Sequence, residues 1–157
     1  MSRVATSWSI RHCERGAALV ELAVSLPLLI LVLIGTVDFA RVFYTAQALT
    51  NAARAGTLYG SQNTAYSADI SGMRTAAQNS AQPDIGTVTV TPTTLCECAK
   101  NDGNAFRTVS CTAACDADEH LTVAAIVTAS KTFTTATDFP GIPHSVALTR
   151  TTKLRAR

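Results

Sequence analysis

The chain has 157 residues, a formal net charge of +2 and only 15% charged residues, where a soluble domain typically carries about 25%. That length holds one modest domain. With no Lys/Arg run and no basic helical face, the sequence makes no case for nucleic acid as a partner. The C-terminal cluster Arg150, Lys153, Arg155 and Arg157 reads as solvated surface.

The apolar excess is concentrated before Phe43, and the remainder is rich in Thr, Ala and Ser. From Ala17 to Val37 the chain reads AALVELAVSLPLLILVLIGTV, 21 residues with one ionisable group. As a helix this spans about 31 Å, enough for a bilayer core. Arg3, Arg11 and Arg15 precede it against Glu14 alone, whereas Asp38 and Arg41 follow it and roughly cancel. The positive-inside rule then places the N-terminus in the cytoplasm and the larger part of the chain across the membrane. A cleavable secretory signal is a poorer fit. The uncharged run Leu22 to Val37 is long for its apolar region, and the nearest small-x-small site, Ala46-Gln47-Ala48, lies beyond Asp38 and Arg41. A buried soluble helix fits worse still, because no polar residue alternates through the run to mark a solvent face.

Glu21 is the residue in this segment that needs a reason. A carboxylate in hydrocarbon costs about 2.5 kcal/mol or more, so it must be paired, protonated or close to the headgroups. Pro27 removes one backbone donor and is expected to loosen the helix near Ala23.

The phrase Arg15-Gly16-Ala17-Ala18-Leu19-Val20-Glu21 resembles the cleavage site of type IV prepilins and pseudopilins: a basic leader ending in Gly, then an apolar helix with Glu fifth. With Leu22-Ala23, Leu26-Pro27-Leu28-Leu29, Asp38-Phe39-Ala40-Arg41 and Gln47-Ala48-Leu49-Thr50-Asn51-Ala52-Ala53-Arg54-Ala55-Gly56, the first 60 or so residues are similar to TadE-like (TadE/TadF) proteins of the tight-adherence pilus system. Leu22 stands where that family usually has Phe, and Asp38 where it more often has Glu. The resemblance implies cleavage between Gly16 and Ala17 by a prepilin peptidase. It also implies that Glu21 pairs with the N-terminal amine of a neighbouring subunit during assembly. The implied partners are the membrane, other pilins or pseudopilins and the Tad inner-membrane machinery.

Phe39, Phe43 and Ala46 fall at helical spacing, and an Ala-rich stretch continues without a breaker to Gly56. One long helix, membrane-embedded and then water-exposed, follows. Ala48, Ala52 and Ala55 are either sites of close helix approach or simply good helix formers. After a break at Gly60-Ser61-Gln62-Asn63-Thr64, a second helix is expected from about Tyr66 to Ala81, with Ile70, Met73 and Ala77 as its apolar stripe and Pro83 as its stop. Alternation at 87–91, Leu121-Val123-Ala125-Val127 and Val146-Leu148, with Thr and Val enrichment, predicts a small antiparallel sheet. The fold class expected is α+β and pilin-like. Its divisions are a cytoplasmic leader 1–16, a transmembrane and extended helix 17–59, and an exported α+β domain 60–157 of a size that benefits from staples.

Cys96 and Cys98 face Cys111 and Cys115 across a turn containing Asp102-Gly103. Nested bridges, Cys96 to Cys115 and Cys98 to Cys111, suit a hairpin, and the crossed pairing stays open. A four-thiolate zinc site is the competing reading, but Cys96-x-Cys98 breaks the usual C-x2-4-C spacing, and an exported compartment is oxidising. Cys13 is removed with the leader. No nucleophile elbow, phosphate loop, metal-binding His pair or paired catalytic carboxylates are present in the sequence. His12, His120 and His144 are isolated, and Asp116, Asp118 and Glu119 read as a solvated acidic turn rather than a calcium loop. Phe139-Pro140-Gly141-Ile142-Pro143 with Val146 to Arg150 resembles the terminal loop and last strand of TadE-like chains. The expectation is a non-enzymatic assembly component with no cofactor and no small-molecule substrate, sited in a bacterial inner membrane with its C-terminal domain periplasmic. The alternative is an uncleaved membrane-tethered periplasmic binding domain.

Overall fold

The computed structural model describes residues 13–81, 85–103, 106–135 and 143–156. Helix α1 runs Cys13–Gly60, followed by α2, Thr64–Ala68, and α3, Ile70–Ser80. Four strands complete the chain: β1, Thr89–Lys100; β2, Phe106–Val109; β3, Glu119–Thr134; and β4, Ser145–Arg155. They form one antiparallel sheet in the order β2-β1-β3-β4. This is the α+β class read from the sequence. Among the described residues, those up to Ala40 and those from Arg41 onward form separate compact units.

In the second unit the C-terminal half of α1 buries one continuous face. Thr45, Ala48, Leu49, Ala52, Ala53, Gly56, Thr57 and Gly60 are buried, at the i, i+3, i+4 spacing of a helix stripe. That stripe joins Met73 and Ala77 of α3 and Ala125, Val127 and Ala129 of β3 in a single core. Small residues make this possible. A Cβ built on Gly56 would meet the Met73 carbonyl oxygen at 2.8 Å and both Ala77 Cβ and Val127 Cγ2 at 3.1 Å. On Gly60 it would meet Met73 Sδ at 2.5 Å and Ala125 Cβ at 2.6 Å. Ala48 and Ala52 are buried in the same core, while Ala55 is only half-buried. Phe39 and Phe43, at helical spacing in the sequence, lie on α1 as expected and are exposed.

The expected second helix is two helices. Asn63 caps α2, its side chain accepting from the Tyr66 N–H, and Asp69 interrupts the run and caps α3, accepting from the Gly72 N–H. A short carboxylate that satisfies a free helix N–H competes with continued winding, which is why the apolar stripe alone misplaces the boundary. The Asp69 carboxylate takes three donors: Gly72 N–H at 2.8 Å, Ser71 hydroxyl at 2.7 Å and Tyr59 hydroxyl at 2.8 Å. The Gly72 amide first, then the Ser71 and Tyr59 hydroxyls, hold its pKa below the ordinary carboxylate value. The unfolded chain thus binds a proton more readily. The contribution is fully present above about pH 4 and is lost as pH falls through the folded-state pKa. Thermal melts between pH 2 and 7 are expected to show Asp69→Asn close to the wild type at neutral pH, since Asn caps comparably, with a flatter fall on acidification.

Pro92 lies inside β1. The strand β2 pairs only with Cys96–Ala99, so the stretch of β1 around Pro92 is a sheet edge, where a missing N–H costs no ladder bond. Thr94 Oγ1 donates to the Ser67 carbonyl of α2, and Arg74 Nε to the Val90 carbonyl at 3.4 Å. These bonds tie the open stretch of β1 to the helices.

Candidate functional site

Gly16, Ala17 and Glu21 all lie on the first turns of α1, which continues through Pro27. A Cβ on Gly16 would meet nothing within 4 Å, and Gly16 through Leu33 are exposed in the isolated chain. The apolar residues there, Leu19 at 67% and Val24 at 75% exposure among them, have no protein to pack on. The helix is long and apolar enough to cross a membrane. Hydroxyls within it turn back on the helix: Ser25 bonds the Leu22 carbonyl and Thr36 the Leu33 carbonyl. Such back-bonding satisfies polar side chains without an outside partner. Glu21 is the carboxylate left on this surface. The leader expected at residues 1–16 lies largely outside the described residues.

A second cluster staples the far end of the sheet. Cys96 is bonded to Cys111 and Cys98 to Cys115, with Cα separations of 5.1 and 5.6 Å. The pairing is crossed, not the nested one expected of a hairpin. Register is the reason. Cys96 stands opposite Val109 and Cys98 opposite Arg107. Cys111 is therefore two residues past the partner of Cys96 but four past that of Cys98, about 13 Å along an extended strand. The chain turns after β2, with the Ala113 N–H bonded to the Ser110 carbonyl, and brings Cys115 back to Cys98. The Cys98, Cys115 and Glu119 ligand atoms lie within 4.8 Å of one another. With the two sulfurs joined, that group offers one carboxylate, which the Arg107 guanidinium holds at 3.1 Å.

The acidic turn is more engaged than expected. Asp116 and Asp118 are exposed and lie 3.5 Å from Arg107 and 3.9 Å from Lys100, whereas the Glu119 side chain is only 10% exposed. The exposed pairs contribute little to stability. His120 Nδ1 is 3.1 Å from Asn101 Oδ1. The C-terminal basic cluster is not a loose tail, because Arg150, Lys153 and Arg155 belong to β4. Lys153 Nζ reaches both Glu97 carboxylate oxygens, at 2.9 and 2.8 Å, and the Arg155 guanidinium sits 4.9 Å from the Phe106 ring centroid. Sequence reading missed these pairs, because both are contacts across the sheet between strands distant in sequence. Residues 139–142 of the expected terminal loop lie outside the described residues.

These features define a class: an α+β domain carried on one long apolar helix of the kind that anchors a protein in a membrane. Residues 16–58 match the family model described as TadE-like protein, the family whose resemblance the N-terminal motifs carry. The match supports a Tad pilus-associated role and membrane association. No curated protein and no solved structure matched the chain.

Proposed function

We propose that this chain is a minor pseudopilin, a structural and assembly component of a Tad (Flp, type IVc) pilus, cleaved after Gly16 by a prepilin peptidase. The observation that carries the reading is the TadE-like match. It opens on Gly16 itself and runs through Glu21 and the apolar helix to the small-residue stripe. In this reading α1 holds the protein in the inner membrane with its N-terminus cytoplasmic and its C-terminal domain periplasmic. Cleavage frees an α-amino group on Ala17. A carboxylate surrounded by lipid is stabilised by an opposite charge close by, and the amine of a neighbouring subunit supplies one to Glu21. The open backbone at Gly16 gives a protease an approach free of any side chain. The role is structural, with pilins or pseudopilins, the Tad assembly machinery and the peptidase as partners.

Intact-mass measurement and N-terminal sequencing test it on protein purified from membranes with and without the cognate peptidase. The expected N-terminus is Ala17, appearing only when the peptidase is present. Glu21→Ala should still be cleaved and inserted but should lose assembly. A chain that keeps its leader in both conditions overturns the processed form and makes an uncleaved tethered domain the better account.

A further inference from the structure

The two ends of the sheet are treated differently. At one end, β2 is four residues long, the segment that follows it is bridged back to β1 by both disulfides, and the uncovered stretch of β1 carries Pro92. The Val90 carbonyl, which shares the parity of Pro92, is taken by Arg74, so the missing N–H of Pro92 falls on the open edge. Short strands and edge prolines are the devices by which sheets refuse further pairing. The other end is β4, 11 residues without a proline, and among the described residues no strand lies beyond it.

Its polarity follows from two bonds. The Ala156 N–H donates to the Val123 carbonyl at 2.8 Å, and the His144 carbonyl accepts from the Thr135 N–H at 3.0 Å. Even-numbered residues of β4 therefore bond to β3, and odd-numbered ones, Ala147, Thr149, Thr151, Lys153 and Arg155, turn their backbone N–H and C=O outward. Two of the three cations are drawn aside: Lys153 is folded onto Glu97 and Arg155 onto Phe106. The third, Arg150, lies on the edge, its Nη1 donating to the outward Thr149 carbonyl at 3.0 Å. Apolar surface accompanies the edge, with Val146 38% exposed and Leu148 packed against the core beside it.

We propose that β4 is a docking edge that accepts an extended, acidic segment of a partner protein as a fifth, antiparallel strand. Charge selects the occupant. The strand carries Arg150, Lys153 and Arg155 and no acidic residue, so a second copy of β4 would bring like charge to like charge and offer no carboxylate to Arg150. An incoming strand with Glu placed opposite Arg150 would draw that guanidinium off the Thr149 carbonyl while its backbone supplies the ladder, the mode of recognition known as strand addition.

The test uses the full chain in detergent micelles and a synthetic 11-residue peptide of alternating Val/Thr and Glu. Saturable binding is expected by fluorescence anisotropy, weakened at least tenfold when Lys replaces Glu or when alternate peptide nitrogens are methylated. Hydrogen exchange should slow at the amides of residues 147, 149, 151 and 153 and change little on β2. Thr151→Pro removes an outward N–H and an exposed hydroxyl contact with Thr128 but no ladder bond, so it should abolish binding and leave the fold intact. The exchange pattern of the unaltered chain decides the matter independently of that variant. No saturable binding, equal binding of the Lys peptide, or protection elsewhere on the domain overturns the proposal. So does a concentration-dependent dimer of the free chain with those same amides protected, which would assign the edge to a second copy.

Discussion

Replacing Cys98 and Cys115 together by alanine is expected to lower the stability of the C-terminal unit by about 3 kcal/mol, a fall in melting temperature of about 10 °C. The bridge closes a loop with a sequence separation of 17, and its partner bridge one of 15, so each constrains the unfolded chain to a similar degree. The two loops overlap, and removing both bridges should cost less than the sum of the two separate losses. Thermal melts of single- and double-bridge variants measure this. Alkylation and mass measurement add a sharper test. With Cys13 also replaced, retaining only Cys96 and Cys111, or only Cys98 and Cys115, should leave no free thiol. Retaining only Cys98 and Cys111 should leave two, because the β1–β2 register holds those residues apart. An efficient Cys98–Cys111 bridge in that variant would contradict the register itself.

The second large effect reverses a familiar sign. Gly in an exposed helix interior costs about 1 kcal/mol relative to Ala, so Gly→Ala there usually stabilises. At Gly56 the added methyl would lie 2.8 Å from the Met73 backbone carbonyl and 3.1 Å from Val127. A backbone atom cannot rotate aside as a side-chain end does. Overpacking of this kind costs about 1–3 kcal/mol, so Gly56→Ala should be net destabilising, and Gly56→Val more so. Gly35→Ala, where a Cβ meets nothing within 4 Å, should leave the melting of the C-terminal unit unchanged. Denaturant titration of the three variants in one detergent checks the order. A stabilising Gly56→Ala would show that α1 and α3 do not pack as closely as described.

The apolar helix, its polarity of flanking charge and the TadE-like phrase from Gly16 to Gly56 are legible in the sequence because each rests on neighbours along one chain. Hydropathy, helical spacing and a short motif need no knowledge of what lies across the fold. The same holds for the strands around Val90, Val127 and Leu148, where alternation marks a face. The helix break at Asp69 was also present locally, as a capping residue ahead of Ser71-Gly72, but the apolar stripe running across it masked the signal. Tertiary structure decided the rest. Which cysteines pair depends on a register set jointly by two strands. Whether Gly56 and Gly60 are flexible or obligatory depends on Met73, Ala77, Ala125 and Val127 arriving opposite them. The basic residues near the C-terminus look alike in sequence. Only the sheet tells them apart, by placing Glu97 and Phe106 within reach of Lys153 and Arg155 and leaving Arg150 on the edge against the Thr149 carbonyl. Contacts between residues far apart along the chain carry no local periodicity, and they are set only when the elements pack.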